Sequence, residues 1–396
     1  MKLTGAGGVG KTAVTKALRR RLTGTLTAWS GITGKAALRL KDVLQVDTRT
    51  TYSVLYAPPR EVDNVEDAKI DLHFDEMKTW DGVDNDSLLV IDEGSMIGPK
   101  LRSDLEKSPY KKILIIGDSY QLSPVLSKAE EAQVGEDYSV FSTIEGPHLN
   151  KVMRNGGAVL AAATMVREQQ RIQTDSGDFD GSSYNYVEIQ DPSVVVNAGC
   201  ETWLADREGH VLIAWKNDTR NLANTIIRHR LGYTSVVPVA GEPLVIRKNI
   251  YKLGLMNGDI VKCEEVGEEG PTLAGVPTRW LLVREETSGR LVEVLAAAGD
   301  FTGVLPYVGL ETWKKALKAA KVDDVCPLTF AYSLTAHLAQ GSQYRRVTVV
   351  SPGDFRSPHF NKMTKLPDGT QMPFSMRWAY TSLSRAVKRS SLILSR

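Results

Sequence analysis

The sequence predicts an α/β protein made of two parallel-sheet blocks in tandem, each interrupted by a small insertion. Three observations predict it. A short strand, a glycine loop and a helical pattern follow one another in the first 24 residues, strand-like apolar runs recur along the chain, and helical stretches separate those runs. Such alternation covers parallel sheets on both faces.

In chain order, residues 2–4 read as a strand, 5–10 as a glycine loop and 11–22 as a helix that ends at Gly24. Further strands are expected at 87–91 (SLLVI), 112–116 (KILII), 210–215 (HVLIAW) and 346–350 (RVTVV), with helices at 158–171 and 219–230. The acidic stretch 57–76 begins with Pro58-Pro59 and is expected to hold a small hairpin. Residues 240–310 are glycine-rich with short alternating strands, the pattern of a small β-barrel or sandwich. Segment 174–184 (TDSGDFDGSSY) reads as an exposed loop.

The 396 residues are 24% charged and 42% hydrophobic, which excludes disordered and fibrous classes. No stretch approaches the roughly 18 to 20 apolar residues of a membrane span, and the amino terminus lacks the leader pattern, so the chain reads as soluble and cytoplasmic. The three cysteines are far apart and form no metal or disulfide spacing. Net charge is only +2, yet residues 1–41 carry five Lys and four Arg with no acid, and residues 336–396 carry seven Arg and three Lys against two Asp. Cations concentrated at the two ends suggest surfaces that meet phosphate, with solvated helix faces as the alternative.

The chemistry is concentrated at strand ends. GAGGVGKT at 5–12 fits GxxxxGK[ST], between a strand and a helix. Backbone N–H groups of Gly7, Gly8, Val9 and Gly10, with Ala13 in the first helical turn, can wrap phosphates; Lys11 neutralises β and γ oxygens, and Thr12 can ligate magnesium. SLLVIDEGSMIG at 87–98 places Asp92 as a second magnesium ligand and Glu93 as a base for the attacking water, a hydrolase pattern. KILIIGDSYQLSPV at 112–125 offers Gln121, whose amide can both donate and accept near a γ-phosphate.

Taken with LNKVMRN (149–155), AWKNDTRNLANTIIRHRL (214–231), LTAHLAQGS (334–342) and YTSLSRAVK (380–388), these segments resemble the ordered motif set of superfamily 1B DNA helicases of the RecD/Dda type, the phage Dda-like helicases among them. The resemblance implies two RecA-like parallel-sheet domains, at 1–56 with 77–155 and at 156–239 with 326–396. A pin insertion would occupy 57–76 and an SH3-like β-barrel 240–325. It implies an ATP- and Mg2+-dependent helicase that moves 5′ to 3′ on single-stranded DNA and opens fork DNA. Single-strand-binding or replication proteins are the partners it would suggest, and the cytosol of a bacterium or a phage-infected host the setting, in replication or recombination.

Residue by residue, the resemblance makes Lys11, Glu93 and Gln121 catalytic, with Arg154 and Arg385 as arginine fingers. A guanidinium is always charged and offers a planar donor fork for a transferring phosphoryl group. Gly341 joins the nucleotide-binding set. Strand contacts are implied for Thr33, Lys35, Thr51, Phe74, Asn217, Asn224, Thr335, His337, Gln340 and Ser342, most of them to phosphate and sugar. Three departures stand out: the family's adenine-reading helix would precede a glycine loop that here begins at residue 5, Leu338 stands where the family usually has Lys, and the pin is short and acidic. An RNA or viral-type helicase and a DNA-binding accessory subunit with a vestigial ATPase remain alternatives at this stage.

Overall fold

The computed structural model describes residues 1–57, 60–64, 69–73, 76–78, 82–151, 157–286, 288–297, 301, 310–322 and 325–395. In its first part, β1 (Lys2–Gly5), α1 (Lys11–Arg21), β2 (Thr27–Gly31), α2 (Gly34–Leu44), β3 (Thr48–Thr50) and α3 (Thr51–Leu55) alternate as expected. The insertion then forms a hairpin of β4 (Arg60–Asn64) and β5 (Lys69–His73), paired antiparallel with Arg60 opposite His73. Alternation resumes with β6 (Leu88–Asp92), α4 (Pro99–Lys107), β7 (Lys112–Gly117), α5 (Lys128–Val134) and β8 (His148–Leu149).

The first sheet has the order β3-β2-β6-β7-β1-β8, and every pairing in it is parallel. The carboxyl ends of β1, β6 and β7 therefore open on one edge, beside the reversal of strand order at β1, where α/β sheets bind ligands. Trp29, Leu40, Val90, Leu114 and Ile116 form a buried core between this sheet and its helices. Local chemistry fixes the helix starts. The Thr33 hydroxyl caps α2 by accepting from Ala36 N at 3.1 Å, and Ser127 with Glu130 completes a capping box on α5.

The second sheet is built from β9 (Gly177–Phe179), β10 (Ser182–Glu188), β11 (His210–Ala214) and later strands, with α6 (Gly157–Gln169), α7 (Pro192–Ala205) and α8 (Asn217–Arg230) between them. Here one expectation is corrected. Segment 174–184 is not a loop but the β9–β10 hairpin, turned by Asp180 (φ 49°) and Gly181 (φ 71°). An Asp-Gly pair with two positive φ values is the tight turn that matches strand twist, and it delivers Tyr184 to the core at 1% exposure.

Strands β12 (Pro243–Ile246), β13 (Ile260–Glu269), β14 (Thr278–Glu285), β15 (Leu291–Ala297) and, after α9 (Leu310–Ala320), β16 (Leu328–Phe330) form a five-stranded antiparallel sheet of order β15-β14-β13-β12-β16. The stretch expected to hold a small barrel or sandwich, 240–325, contributes four of these strands, and β16 lies beyond it. The chain closes with β17 (Ser333–Thr335), α10 (Ala336–Ala339), β18 (Tyr344–Pro352), the hairpin β19 (Met363–Lys365) and β20 (Gln371–Pro373), α11 (Phe374–Leu383) and β21 (Ala386–Ser395). The second sheet runs β17-β11-β18-β21-β10-β9, with parallel pairs from β11 to β10.

The chain divides into two compact units. Both parallel sheets belong to the first, which comprises Met1–Leu55, Thr79–Ala223 and Leu334–Arg396; the second comprises Tyr56–Lys78 and Asn224–Ser333, the hairpin and the antiparallel sheet. Among the described residues no helix is long and apolar enough to cross a membrane.

Candidate active site

The glycine loop follows β1 because only glycine adopts its turns without strain: Gly8 has φ 81° and Gly10, immediately before α1, has φ 92°. Helix α1 has no acidic residue in its first turn, so its N–H groups and dipole face a ligand without a competing carboxylate. Lys11 Nζ folds back on the loop and donates to the carbonyls of Gly5 and Ala6 at 2.7 and 2.9 Å.

A cavity of about 400 Å³ opens at this sheet edge. Gly7, Gly8, Gly10, Lys11, Thr12 and Ala13 line one side, Asp92, Glu93 and Gln121 another, and Arg385 reaches it from the second sheet. The structure thus brings together residues that are up to 378 positions apart in the chain. Val9 is the exception in the loop, being packed into the core at 4% exposure.

Burial and the adjacent Glu93 charge push the Asp92 carboxyl up to about 6, with Arg39 and Lys11 pulling it back down. Glu93 is 9% exposed and holds the left-handed conformation at φ 56°, ψ 40°. Non-glycine residues rarely adopt that region, and strain of this kind concentrates at functional positions. Gly94 and Gly117 permit the close approach behind it: a Cβ on Gly94 would lie 2.2 Å from Ile115 Cγ2, and one on Gly117 2.7 Å from Phe141 Cζ.

Arg385 is 5% exposed and held by Thr381 O at 3.1 Å, Ser384 Oγ at 3.1 Å and Ser342 O at 3.5 Å. Its fork is thereby oriented before any anion arrives. Gln121, 4% exposed, has its Oε1 buried without a partner among the described residues. The donor set is a helix amino terminus, one lysine and two guanidinium groups, and beside it stand a hydroxyl and a carboxylate. That set fits a polyphosphate and a hard divalent cation.

Several members of this site carried no readable signal in the sequence. Arg39 lines the cavity from α2. Tyr380 on α11 donates its hydroxyl to Asp118 Oδ2 at 2.6 Å and accepts from Gly7 N at 3.4 Å. Burial and the Asp118 charge raise its ionisation well above the ordinary tyrosine value, so it remains a neutral donor. A strand ending in Gly-Asp is common, and nothing local marks Asp118 as the partner of a tyrosine 262 residues away.

The expected strand contacts separate into three groups. Thr33 and Thr335 are half-buried and cap α2 and α10, while Asn217 is exposed at the start of α8. Lys35 and His337 are half-buried, and burial followed by the Arg377 charge lowers the His337 value, against a hydrogen bond to the Ser123 backbone. Thr51, Asn224, Gln340 and Ser342 are all buried. Thr51 bonds Ser30 Oγ at 3.1 Å, Gln340 donates to Leu122 O at 3.2 Å, and Asn224 bonds Phe330 O, Ser333 O and Ser333 N. The side chains of Thr51 and Asn224 are thus hydrogen-bonded inside the fold. Gly341 (φ 77°) packs against Thr33, whose Oγ1 would lie 3.1 Å from a Cβ placed there; it is not among the cavity-lining residues. Arg154 and Phe74 lie outside the described residues.

Residues 1–177 match the family model described as an AAA domain. Among curated proteins no sequence matches the chain. Among solved structures the chain is similar to one from work on DNA unwinding at forked double-stranded DNA by two coordinating Pif1 helicases, with a TM-score of 0.55 and 17% identity over 99% of this chain and 87% of that one. It is also similar to Bacteroides Pif1 bound to single-stranded DNA, with a TM-score of 0.53 and 16% identity over 99% of this chain and 88% of that one. The chain accordingly has the α/β fold of these Pif1 structures, a parallel-sheet RecA-like domain with further sheets.

Proposed function

We propose that this chain is an ATP-hydrolysing DNA helicase that tracks along single strands 5′ to 3′ and opens forked duplex. The observation that carries the reading is the shared cavity, in which Arg385 from the second sheet meets Lys11, Glu93 and Gln121 from the first. A cleft closed by residues of two sheets lets hydrolysis alter how the sheets are held together, which is what a motor requires. The Pif1 structures of the same fold are of proteins that act on forked duplex and bind single-stranded DNA, and this supports the same substrate here.

In this mechanism the loop N–H groups and Lys11 hold the β- and γ-phosphates. Thr12 and Asp92 would hold Mg2+, which supplies charge neutralisation at the phosphate oxygens. Glu93 accepts the proton of the attacking water, and Gln121 orients that water against the γ-phosphate. Arg385 stabilises charge on the equatorial oxygens; fixed guanidinium groups in such a position contribute about 10³- to 10⁵-fold in related phosphoryl transfers. Thr33, Lys35, Asn217 and Thr335 are the strand-binding candidates, through phosphate rather than base contacts.

ATP turnover with and without single-stranded DNA, with Lys11→Ala as control, tests the reading. Many-fold stimulation that the variant abolishes supports it, and turnover indifferent to DNA sinks it. RNA of equal length is the second arm, because discrimination by the 2′-hydroxyl is local. Forks carrying only a 5′ or only a 3′ tail decide direction: unwinding confined to the 3′-tailed fork would reverse the proposed polarity.

A further inference from the structure

The sensor Gln121 sits in a segment with little structure of its own. Residues 119–123 follow β7 as a turn, tied internally by the hydrogen bond of Gln121 N to Asp118 O at 3.2 Å. What fixes the segment comes from far along the chain. Arg377 Nη2, on α11, donates to Gln121 O at 2.5 Å and to Ser123 Oγ at 3.0 Å. One helical turn on, Thr381 Oγ1 accepts from Leu122 N at 3.1 Å, and Gln340 Nε2 donates to Leu122 O at 3.2 Å. Three consecutive residues are thus held through their main chain or hydroxyl by three side chains of the last 57 residues.

We infer that Arg377 is a positioning residue for the sensor: it holds the Gln121 main chain so that the amide meets the γ-phosphate only when α11 is seated. The inference rests on the ATP-hydrolase reading of the cavity. Arg377 is not among the residues that line the cavity, and it acts through Gln121.

Chemistry favours this assignment over simple packing. Arg377 is 4% exposed, and its burial lowers the guanidinium to about 10 from its ordinary value, a sign of how costly the charge is at this position. A well-packed apolar side chain would serve a purely structural role at lower cost. Its Nη2 alone reaches two acceptors of one loop, which an apolar side chain cannot do. Arg377 also lies on the same helix as Tyr380, which bonds Asp118 and Gly7, and as Thr381, whose hydroxyl accepts from Leu122 N and whose carbonyl accepts from Arg385 Nε. One helix therefore holds the loop after β7 and the glycine loop and leads directly into Arg385, linking sensor, cradle and finger.

The test is a double-mutant cycle. Arg377→Lys keeps the charge but ends one bond short of the Nη2 position, and it is expected to lower DNA-stimulated kcat about 10- to 100-fold, the cost of a misplacement near 1 Å, with KM for ATP within about threefold. In a Gln121→Ala background the same substitution is expected to add nothing, because its target is gone. Thr381→Val is the second variant, should the lysine variant fold poorly, with the same non-additivity at about 3- to 10-fold. Equal fractional losses in both backgrounds, or a loss in KM alone, would overturn the inference. Hydrogen exchange of residues 118–125 in the nucleotide-free protein gives a readout independent of turnover: faster exchange in Arg377→Lys is expected, and unchanged exchange overturns it. Absence of ATP turnover in the unsubstituted protein would instead sink the functional reading, leaving the exchange measurement to decide the positioning.

Discussion

Glu93 and Asp92 are neighbours with opposite demands. Glu93 occupies a left-handed backbone position and faces the cavity, and its substitution to Gln preserves shape while removing the base. Glu93→Gln is expected to lower hydrolysis about 10²- to 10⁴-fold while ATP binding, followed with a fluorescent nucleotide, is retained. Asp92 has a carboxyl raised to about 6 from 3.8, so the folded protein holds that proton more tightly than the unfolded chain does. Between those two values the group's contribution to stability is lost as pH rises, and above about 6 the ionised carboxylate is a standing cost. Asp92→Asn is therefore expected to stabilise the metal-free protein by at most about 3 kcal/mol at pH 8, a gain that shrinks below pH 6 and is gone near pH 4. Melting temperatures in EDTA across that range check it, and a gain independent of pH would contradict the assigned cause. The Asp92-Glu93 pair was legible in the sequence because two acids closing an apolar run is a local signal. The φ of Glu93 was not, since it depends on how Gly94 and Gly117 let the strand ends pack.

At the scale of elements, the second unit holds a buried polar network. Arg228 of α8 pairs with Glu242 at 2.7 Å with both side chains nearly inaccessible, donates to Ser235 O and Val237 O, and stacks over Phe330 at 4.0 Å. Tyr332 and Val239 N complete the shell around the Glu242 carboxylate. Glu242→Gln would leave the guanidinium buried without its counter-charge and is expected to cost about 3 to 5 kcal/mol in chemical denaturation. Asn224, one turn earlier on α8, clips β16 to β17 through Phe330 and Ser333. Asn224→Ala is expected to cost about 1 to 3 kcal/mol, while the folded fraction binds single-stranded DNA with unchanged affinity. A loss of binding without a loss of stability would instead support the contact role that the sequence motif implied. Helix α8 was readable from its periodicity. The destination of its asparagine was not, because the partners lie more than 100 residues away.

At the scale of the molecule, the basic carboxyl-terminal segment is less available to phosphate than its charge implies. Arg345 pairs with Glu208, Arg346 and Arg389 share Asp206, and Arg377 and Arg385 are buried. Binding of single-stranded DNA is therefore expected to show a shallow salt dependence, with a log–log slope of about −2 to −4, as for about three to five phosphates at roughly 0.7 each. Titrations between 50 and 200 mM salt measure it. A slope near −7, about ten phosphates, would mean the paired arginines open onto the strand.

The sequence by itself determined the local units: the strand–loop–helix at the amino terminus, the acids after β6, the amide after β7 and the alternation that makes parallel sheets. Each depends on neighbours within a dozen residues, so spacing and side-chain type suffice. Tertiary structure decided the rest. It placed Arg385 and Arg39 at the same cavity, spent Thr51 and Asn224 inside the fold, turned an expected loop into the β9–β10 hairpin and set Arg377 and Tyr380 against the catalytic loops. These contacts join residues separated by most of the chain, and burial of a polar group is a property of the packed surroundings, which no local pattern encodes.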